Sequence, residues 1–396
     1  MNVLYIGFYY PDGMIERLLK LNSVVDFPGY TFQNALLSGL DKLYPNFKII
    51  SSAYMSSFPR NKQVIWKRTH FSHKGDDSNK DVFTGLINIP IIKEISKFIR
   101  IRKEIKRSLV KGKNNIVVCY EVHTPFLLAI ISLRRRVSKT CLIVPDLPEY
   151  MNAKQNILYR LAKKIDRIII NYSIRRIDCF ALFSSHMQDK LPIGNKPWIL
   201  LEGIYKETEE LEYEKEQCKT ILYTGNLARN SGVIDLLNAF QLIESSDYRL
   251  WIRGNGEKAL VEEIHRRIEQ DSRITYFPPM SKRDILILQR RATVLVNPIR
   301  PSQSQTKYFF PSKTMEYLAS GTPTIMYKLD CLPLDYHNHL LFVEEETIES
   351  LKDKIVEVCE MDKDKYVEFG QSAYNFIIEE KNPKKQAEKL YKLINA

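Results

Sequence analysis

Short runs of β-branched and aromatic residues alternate with longer stretches of helical period along nearly the whole chain, in two successive series. The first series holds NVLYIGF from Asn2, FKIIS from Phe47, NIVVC from Asn115, TCLIV from Thr140, DCFALF from Asp178 and PWILL from Pro197. The second holds TILYT from Thr220, YRLWI from Tyr248, RITYF from Arg273, TVLVN from Thr293, TPTIM from Thr322 and HLLFV from His339. Strand–helix–strand alternation builds parallel sheets covered by helices, since a parallel connection needs a crossover long enough to hold one. A chain of 396 residues is also too long for one comfortable core. Two doubly wound α/β domains are therefore expected, at 1–204 and 219–375. The polar, acidic stretch 205–218 (YKETEELEYEKEQC) reads as the linker, and 376–396 as a C-terminal helix packing back on the first domain.

Charge divides the same way. The net charge is +12, but residues 1–204 hold 32 Lys and Arg against 16 Asp and Glu, and the remainder holds 27 against 31. The first half is expected to face something anionic: a membrane surface, nucleic acid or a phosphorylated substrate. No helix-turn-helix, zinc or RNP-type motif accompanies the charge, so nucleic acid is not expected. In IIKEISKFIRIRKEIKRSLVKGK (91–113), Ile95, Phe98, Ile99, Ile105 and Leu109 fall near helical spacing, with Lys93, Lys97, Arg100, Lys103 and Arg107 on much of the remaining surface. Such a helix either packs its apolar face inward and solvates its basic one, or lies against anionic headgroups. LRRRVSK (133–139) and KKIDRIIINYSIRR (163–176) add positive charge in the same half. No apolar run reaches the roughly 18 residues of a spanning helix, and MNVLYIGFYYPDG reads as a first strand rather than a signal peptide. Six scattered cysteines without a C-x-x-C pair suit free thiols in a reducing cytoplasm, with attachment at the inner face of the plasma membrane as the peripheral variant.

Chemistry concentrates in residues 297–327, NPIRPSQSQTKYFFPSKTMEYLASGTPTIMY. A strand leads into a loop of small and polar residues, a helix opens at Pro311-Ser312, and Gly-Thr-Pro turns into another strand. A helix N-terminus at the carboxyl edge of a parallel sheet is a ready site for a nucleotide pyrophosphate. Glu316, one turn in, is suited to the cis-diol of a ribose. The alternative is ordinary strand–loop–helix packing.

FPSKTMEYLASGTPTI resembles the donor-binding segment of the family-4 retaining glycosyltransferases of GT-B fold, in the variant of bacterial capsule and exopolysaccharide enzymes. Further segments resemble the family in order: LLEGIY from Leu200, YTGNLARNSGVIDLLNAF from Tyr223, WIRGNGE from Trp251 and YFPPMSKRDILILQRRATVLVNP from Tyr276. The resemblance implies two Rossmann-like domains facing a cleft. It places Gly225, Asn226, Gly254, Phe277, Pro278, Pro279, Pro311, Ser312, Thr314 and Glu316 on the donor. The family's first motif glutamate falls on Tyr308, its arginine on Asn226 and its lysine before glycine on Ser231. Arg229 and Lys313 are then the candidate cations for the leaving diphosphate. In the first half, Gly29 and Tyr30 match the glycine loop of the acceptor domain, and His123 matches a histidine near the reacting sugar; an isolated histidine is otherwise structural. Asp146 and Glu149, beyond the next strand, are candidates for acceptor hydroxyls, or Asp146 caps a turn.

The resemblance implies transfer of a sugar from a nucleoside diphosphate, UDP foremost, to a saccharide or polyprenyl-linked acceptor in bacterial surface polysaccharide synthesis. Retention of configuration, no cofactor and no metal site are expected. An idle GT-B partner subunit and a UDP-sugar epimerase of the same architecture are the rival readings. A Rossmann dehydrogenase is disfavoured because no G-x-G-x-x-G follows the first strand.

Overall fold

The computed structural model describes residues 1–45, 47–76, 79–148, 157–207, 211–303 and 305–396, with the side chains of 157–161 left aside. Each β-branched run named above is a strand, and the chain divides into two units, residues 1–204 with 383–396, and residues 205–382.

In the first unit the elements are β1 (Asn2–Gly7), α1 (Met14–Lys20), α2 (Phe27–Leu43), β2 (Lys48–Ser51), β3 (Ile65–Trp66), β4 (Thr69–Phe71), β5 (Asp81–Phe83), β6 (Leu86–Ile87), α3 (Ile92–Ser108), β7 (Asn115–Tyr120), α4 (Thr124–Ile131), β8 (Lys139–Val144), α5 (Ile157–Ile174), β9 (Cys179–Leu182) and β10 (Trp198–Leu200). The main sheet runs β10-β9-β8-β7-β1-β2-β5-β4, parallel except for β4 against β5, and β3 pairs with β6 separately. The strands β3 to β6 escape sequence reading because two or three residues carry no detectable alternation. Helices α3, α4 and α5 pack side by side. Chain order reverses between β1 and β7, which makes their carboxyl ends the switch point where α/β sheets bind ligands.

The second unit holds β11 (Lys219–Leu227), α6 (Val233–Gln241), β12 (Tyr248–Gly256), α7 (Lys258–Gln270), β13 (Ile274–Phe277), α8 (Lys282–Arg291), β14 (Val294–Asn297), α9 (Lys313–Ala319), β15 (Thr324–Tyr327), β16 (Leu341–Val343), α10 (Ile348–Cys359) and α11 (Lys363–Glu380). Its six strands are all parallel in the order β13-β12-β11-β14-β15-β16, with the switch point between β11 and β14.

Two boundaries differ from the sequence reading. The 205–218 stretch, outside 208–210, is docked on the second unit: the Lys215 amine donates to the Ala292 carbonyl (2.8 Å), the Thr322 hydroxyl (3.0 Å) and the Tyr366 hydroxyl (3.1 Å). A helix boundary at 376 falls inside α11, whose Ala373 and Ile377 belong to the second unit's core. The returning helix is α12 (Pro383–Asn395), which starts at a proline and lays Ala387, Leu390, Leu393 and Ile394 into the first unit's core against α2. Gly39 makes that crossing close, since a Cβ there would meet the Pro383 carbonyl oxygen at 2.1 Å. All six cysteines are free, and all but the half-buried Cys218 are buried.

Candidate functional site

At the switch point of the second unit, the β11 residues Tyr223-Thr224-Gly225 face the first turn of α9. Tyr317 locks the two together: its fully buried hydroxyl donates to the Thr224 carbonyl (2.9 Å) and accepts from the Thr224 amide (2.7 Å). That clamp sets Lys313 over the Tyr223 ring, 4.1 Å from its centroid. Gly225, at φ 153°, leaves the space in front of the amine open, since a Cβ there would stand 3.3 Å from Lys313 Nζ. Lys313 is half-buried and has no carboxylate partner among the described residues. Loss of water alone pushes its pKa down to about 7. An amine so placed stabilises an anion strongly, because little water competes for it.

The other residues expected on the donor distribute as follows. Glu316 is half-exposed and pairs with Lys282 at 3.2 Å, a surface contact that costs little to exchange. Phe277 packs edge-on against Trp251 at 5.3 Å, while Pro278 and Pro279 are exposed at the end of β13. Gly254 lets β12 run beside β11, for a Cβ would strike the Gly225 carbonyl oxygen at 2.1 Å. Asn226 and Ser312 are exposed and Pro311 is buried. Arg229 is 91% exposed, 3.8 Å from Glu257. Thr314 departs from expectation: it is fully buried, 3.5 Å from the Asn297 amide nitrogen, because its position on α9 turns it toward β14. Arg253, which the sequence reading passed over, sits beside Thr224 and Phe277 in register, with a buried Nε that has no hydrogen-bond partner among the described residues.

At the first unit's switch point, β1 runs into Phe8 and β7 into Glu121-Val122-His123. Phe8 and His123 stack edge-on at 4.9 Å. His123 Nε2 lies 3.1 Å from Glu94 Oε2 and 3.3 Å from Lys97 Nζ. Burial, then the Lys97 charge, pushes the imidazole down to about 4, so it is neutral at physiological pH. A cavity of about 490 Å³ opens here among Phe8, Tyr54, Glu94, Glu121, His123 and Asp166. Glu121 is, with Arg253, a residue that sequence reasoning missed. It holds a φ of 79°, a left-handed conformation costly for a non-glycine residue and concentrated at functional sites. Burial, then Asp26 and Asp146, pushes its carboxyl up to about 8. Asp146 is raised by loss of water and by Asp26, although its side chain reaches solvent. The cavity thus offers a carboxylic acid that can both donate and accept, with a neutral imidazole and aromatic walls. No signal along the chain marks a strained backbone, though Glu121 lies two residues from His123.

Gly29 is enclosed in the first turn of α2, where its amide caps on Asp26 (3.1 Å) and a Cβ would strike Asp26 Oδ2 at 2.0 Å. Tyr30 packs on Tyr9 and Tyr10, with ring centroids 5.3 and 5.6 Å away. Glu149 lies outside the described residues. Among the described residues no group of three His, Cys, Asp or Glu side chains is spaced to hold a metal ion.

No curated protein matches the chain in sequence. Similar solved structures include a sucrose-phosphate synthase from Thermosynechococcus elongatus (14% identity, 100% of this chain and 98% of that one, TM-score 0.61). Anabaena HepE in complex with UDP matches at 9% identity over 100% of both chains, TM-score 0.62. A mutant of S. aureus TarM, in complex with fondaparinux, alpha-GlcNAc-glycerol and UDP, matches at 9% identity over 100% of both chains, TM-score 0.64. At such identities the likeness is one of fold. Residues 218–361 match the family model of glycosyl transferases group 1. The second unit thus resembles a glycosyl transferases group 1 domain over the matched residues, in a chain with the two-domain fold of the GT-B glycosyltransferases.

Proposed function

We propose that this protein transfers a sugar from a nucleoside diphosphate sugar, UDP foremost, to a hydroxyl of a saccharide or lipid-linked saccharide, with retention and without a metal, in bacterial surface polysaccharide synthesis. The observation that carries this reading is Lys313: a half-buried amine with no acidic partner among the described residues, fixed over Tyr223 and facing Gly225. A diphosphate placed there regains for the amine the favourable charge that burial removed. It also gains a counter-charge as negative charge develops on the leaving group. Glu316 exchanges Lys282 for the ribose hydroxyls, Phe277 to Pro279 border the base, and Arg253 supplies a further donor to the nucleotide. UDP in the complexes of the structurally similar HepE and TarM supports the choice of nucleotide.

Acceptor recognition falls to the first unit's cavity. Glu121, kept protonated by its surroundings, and Asp146 hydrogen-bond the attacking hydroxyl and its neighbours, with the leaving phosphate as the final proton acceptor. The saccharide ligands in the TarM complex support this class of acceptor. The test is UDP release from a panel of UDP-sugars and saccharide acceptors, followed by NMR of the early product. Acceptor-dependent UDP release with a retained anomer is the expected result. Turnover of donor without acceptor would identify an epimerase. Nucleotide binding without release on any acceptor would identify an idle subunit.

A further inference from the structure

The N-terminal half of α3 turns the opposite way from its charge pattern, while in its C-terminal half Ile101 and Ile105 are buried and Lys103, Lys106 and Arg107 are exposed. Lys93 and Lys97 are buried: Lys93 Nζ donates to the Met55 carbonyl (2.5 Å), and Lys97 Nζ stands 5.2 Å over the Phe8 ring. The outward face carries isoleucines instead, Ile92, Ile95 and Ile99 at 44%, 53% and 55% exposure, continued by Arg102, Lys103 and Lys106. Ile91, which caps the helix, is 78% exposed at φ 68°, a conformation disfavoured for a β-branched residue. Helix α5, on the far side of α4, repeats the arrangement. Ile165, Ile168 and Tyr172 are 52%, 68% and 50% exposed at spacings of three and four, flanked by exposed Lys164, Arg175 and Arg176.

The acidic residues described on the two helices are engaged with other side chains, although Glu94 is 45% exposed and Asp166 33% exposed. Glu94 turns to His123, Glu104 to Lys48 and Arg68, and Asp166 to the Thr124 hydroxyl. Isolated exposed isoleucines need no explanation, but single-sided stripes on the two helices that flank α4, set among lysines and arginines, do. Apolar side chains at the level where long basic side chains reach phosphates is the chemistry of a bilayer interface. We propose that the outward faces of α3 and α5 dock this protein on an anionic lipid bilayer, their isoleucines entering the headgroup boundary and their lysines and arginines meeting the lipid phosphates. The cavity described above is lined by both helices and so lies within the docked face.

The test is sedimentation of the full chain with vesicles of pure phosphatidylcholine and of phosphatidylcholine with phosphatidylglycerol, at low and high salt. Wild-type protein is expected to pellet with the anionic vesicles only, and less at high salt. Lys103→Ala with Lys106→Ala should lower the partition coefficient about thirtyfold at low salt, at about 1 kcal/mol per basic residue. Ile95→Ser with Ile99→Ser should lower it about tenfold or more. Unchanged melting and an unchanged UDP-induced shift keep folding and the donor site out of the comparison. Wild-type protein left in the supernatant overturns the proposal, as do equal binding to neutral vesicles and variants that bind like wild type. A self-associating chain whose dimer the isoleucine variants dissolve, without vesicle binding, assigns the face to a second copy and overturns it too.

Discussion

A diphosphate bound at Lys313, as proposed, makes nucleotide binding proton-linked. With its pKa near 7, about half of the molecules carry a neutral amine at pH 7 and about nine-tenths at pH 8. A bound diphosphate restores the charge, so binding takes up about 0.5 proton at pH 7 and about 0.9 at pH 8. The ligand's own phosphate, with its second pKa near 6, is then fully ionised at pH 8 and contributes almost nothing. Calorimetry at pH 8 in buffers of different ionisation enthalpy reads the proton number directly. Affinity should fall nearly tenfold per pH unit above 7, and Lys313→Met should bind UDP about 10- to 150-fold more weakly near pH 7, from about 1.5–3 kcal/mol for a hydrogen bond to a charged group. The same variant should be more stable than wild type without ligand. A depressed lysine destabilises the fold as pH falls from 10.5 toward 7, and methionine keeps the packing on Tyr223 without that cost. Wild-type binding with no proton uptake at pH 8, or uptake that survives in Lys313→Met, would refute the placement of the diphosphate at this amine.

Three further outcomes follow from the geometry. Glu121→Gln should keep the acceptor KM of wild type below pH 8 and lose its rise above, since the native carboxyl ionises near 8, whereas Glu121→Ala should raise KM at every pH; steady-state kinetics over pH 6–9 check this. His73 bridges Asp81 (2.6 Å) and Asp41 (3.0 Å), which hold it up at about 9, although burial opposes them. Its contribution, up to about 3 kcal/mol by linkage, is complete below pH 6.5 and lost as pH rises through 9; urea melts of wild type and His73→Gln should converge at high pH. Tyr317→Phe leaves the Thr224 amide and carbonyl unpaired and should cost about 1–3 kcal/mol in a denaturant melt while loosening UDP binding.

What the sequence determined by itself is the order and kind of the longer elements, though not the short strands β3 to β6. Runs such as NIVVC and TILYT are strands in the structure because β-branched content and period are local properties of consecutive residues. The strand–loop–helix segment that carries Lys313 and Glu316 was equally legible, because its strand, proline and glycine keep a short, ordered spacing. Tertiary structure decided everything that depends on what a side chain meets across the fold. Lys93 and Lys97 look solvent-facing by charge, yet they turn inward because the Met55 carbonyl, Glu94 and Phe8 are there to receive them, and that rotation exposes Ile95 and Ile99. Thr314 sits among donor-segment neighbours but points at Asn297. Glu121 acquires its φ and its raised pKa only where β7 ends beside Asp26 and Asp146. A helix's period says which residues share a face; only the partners packed against it say which face is inside.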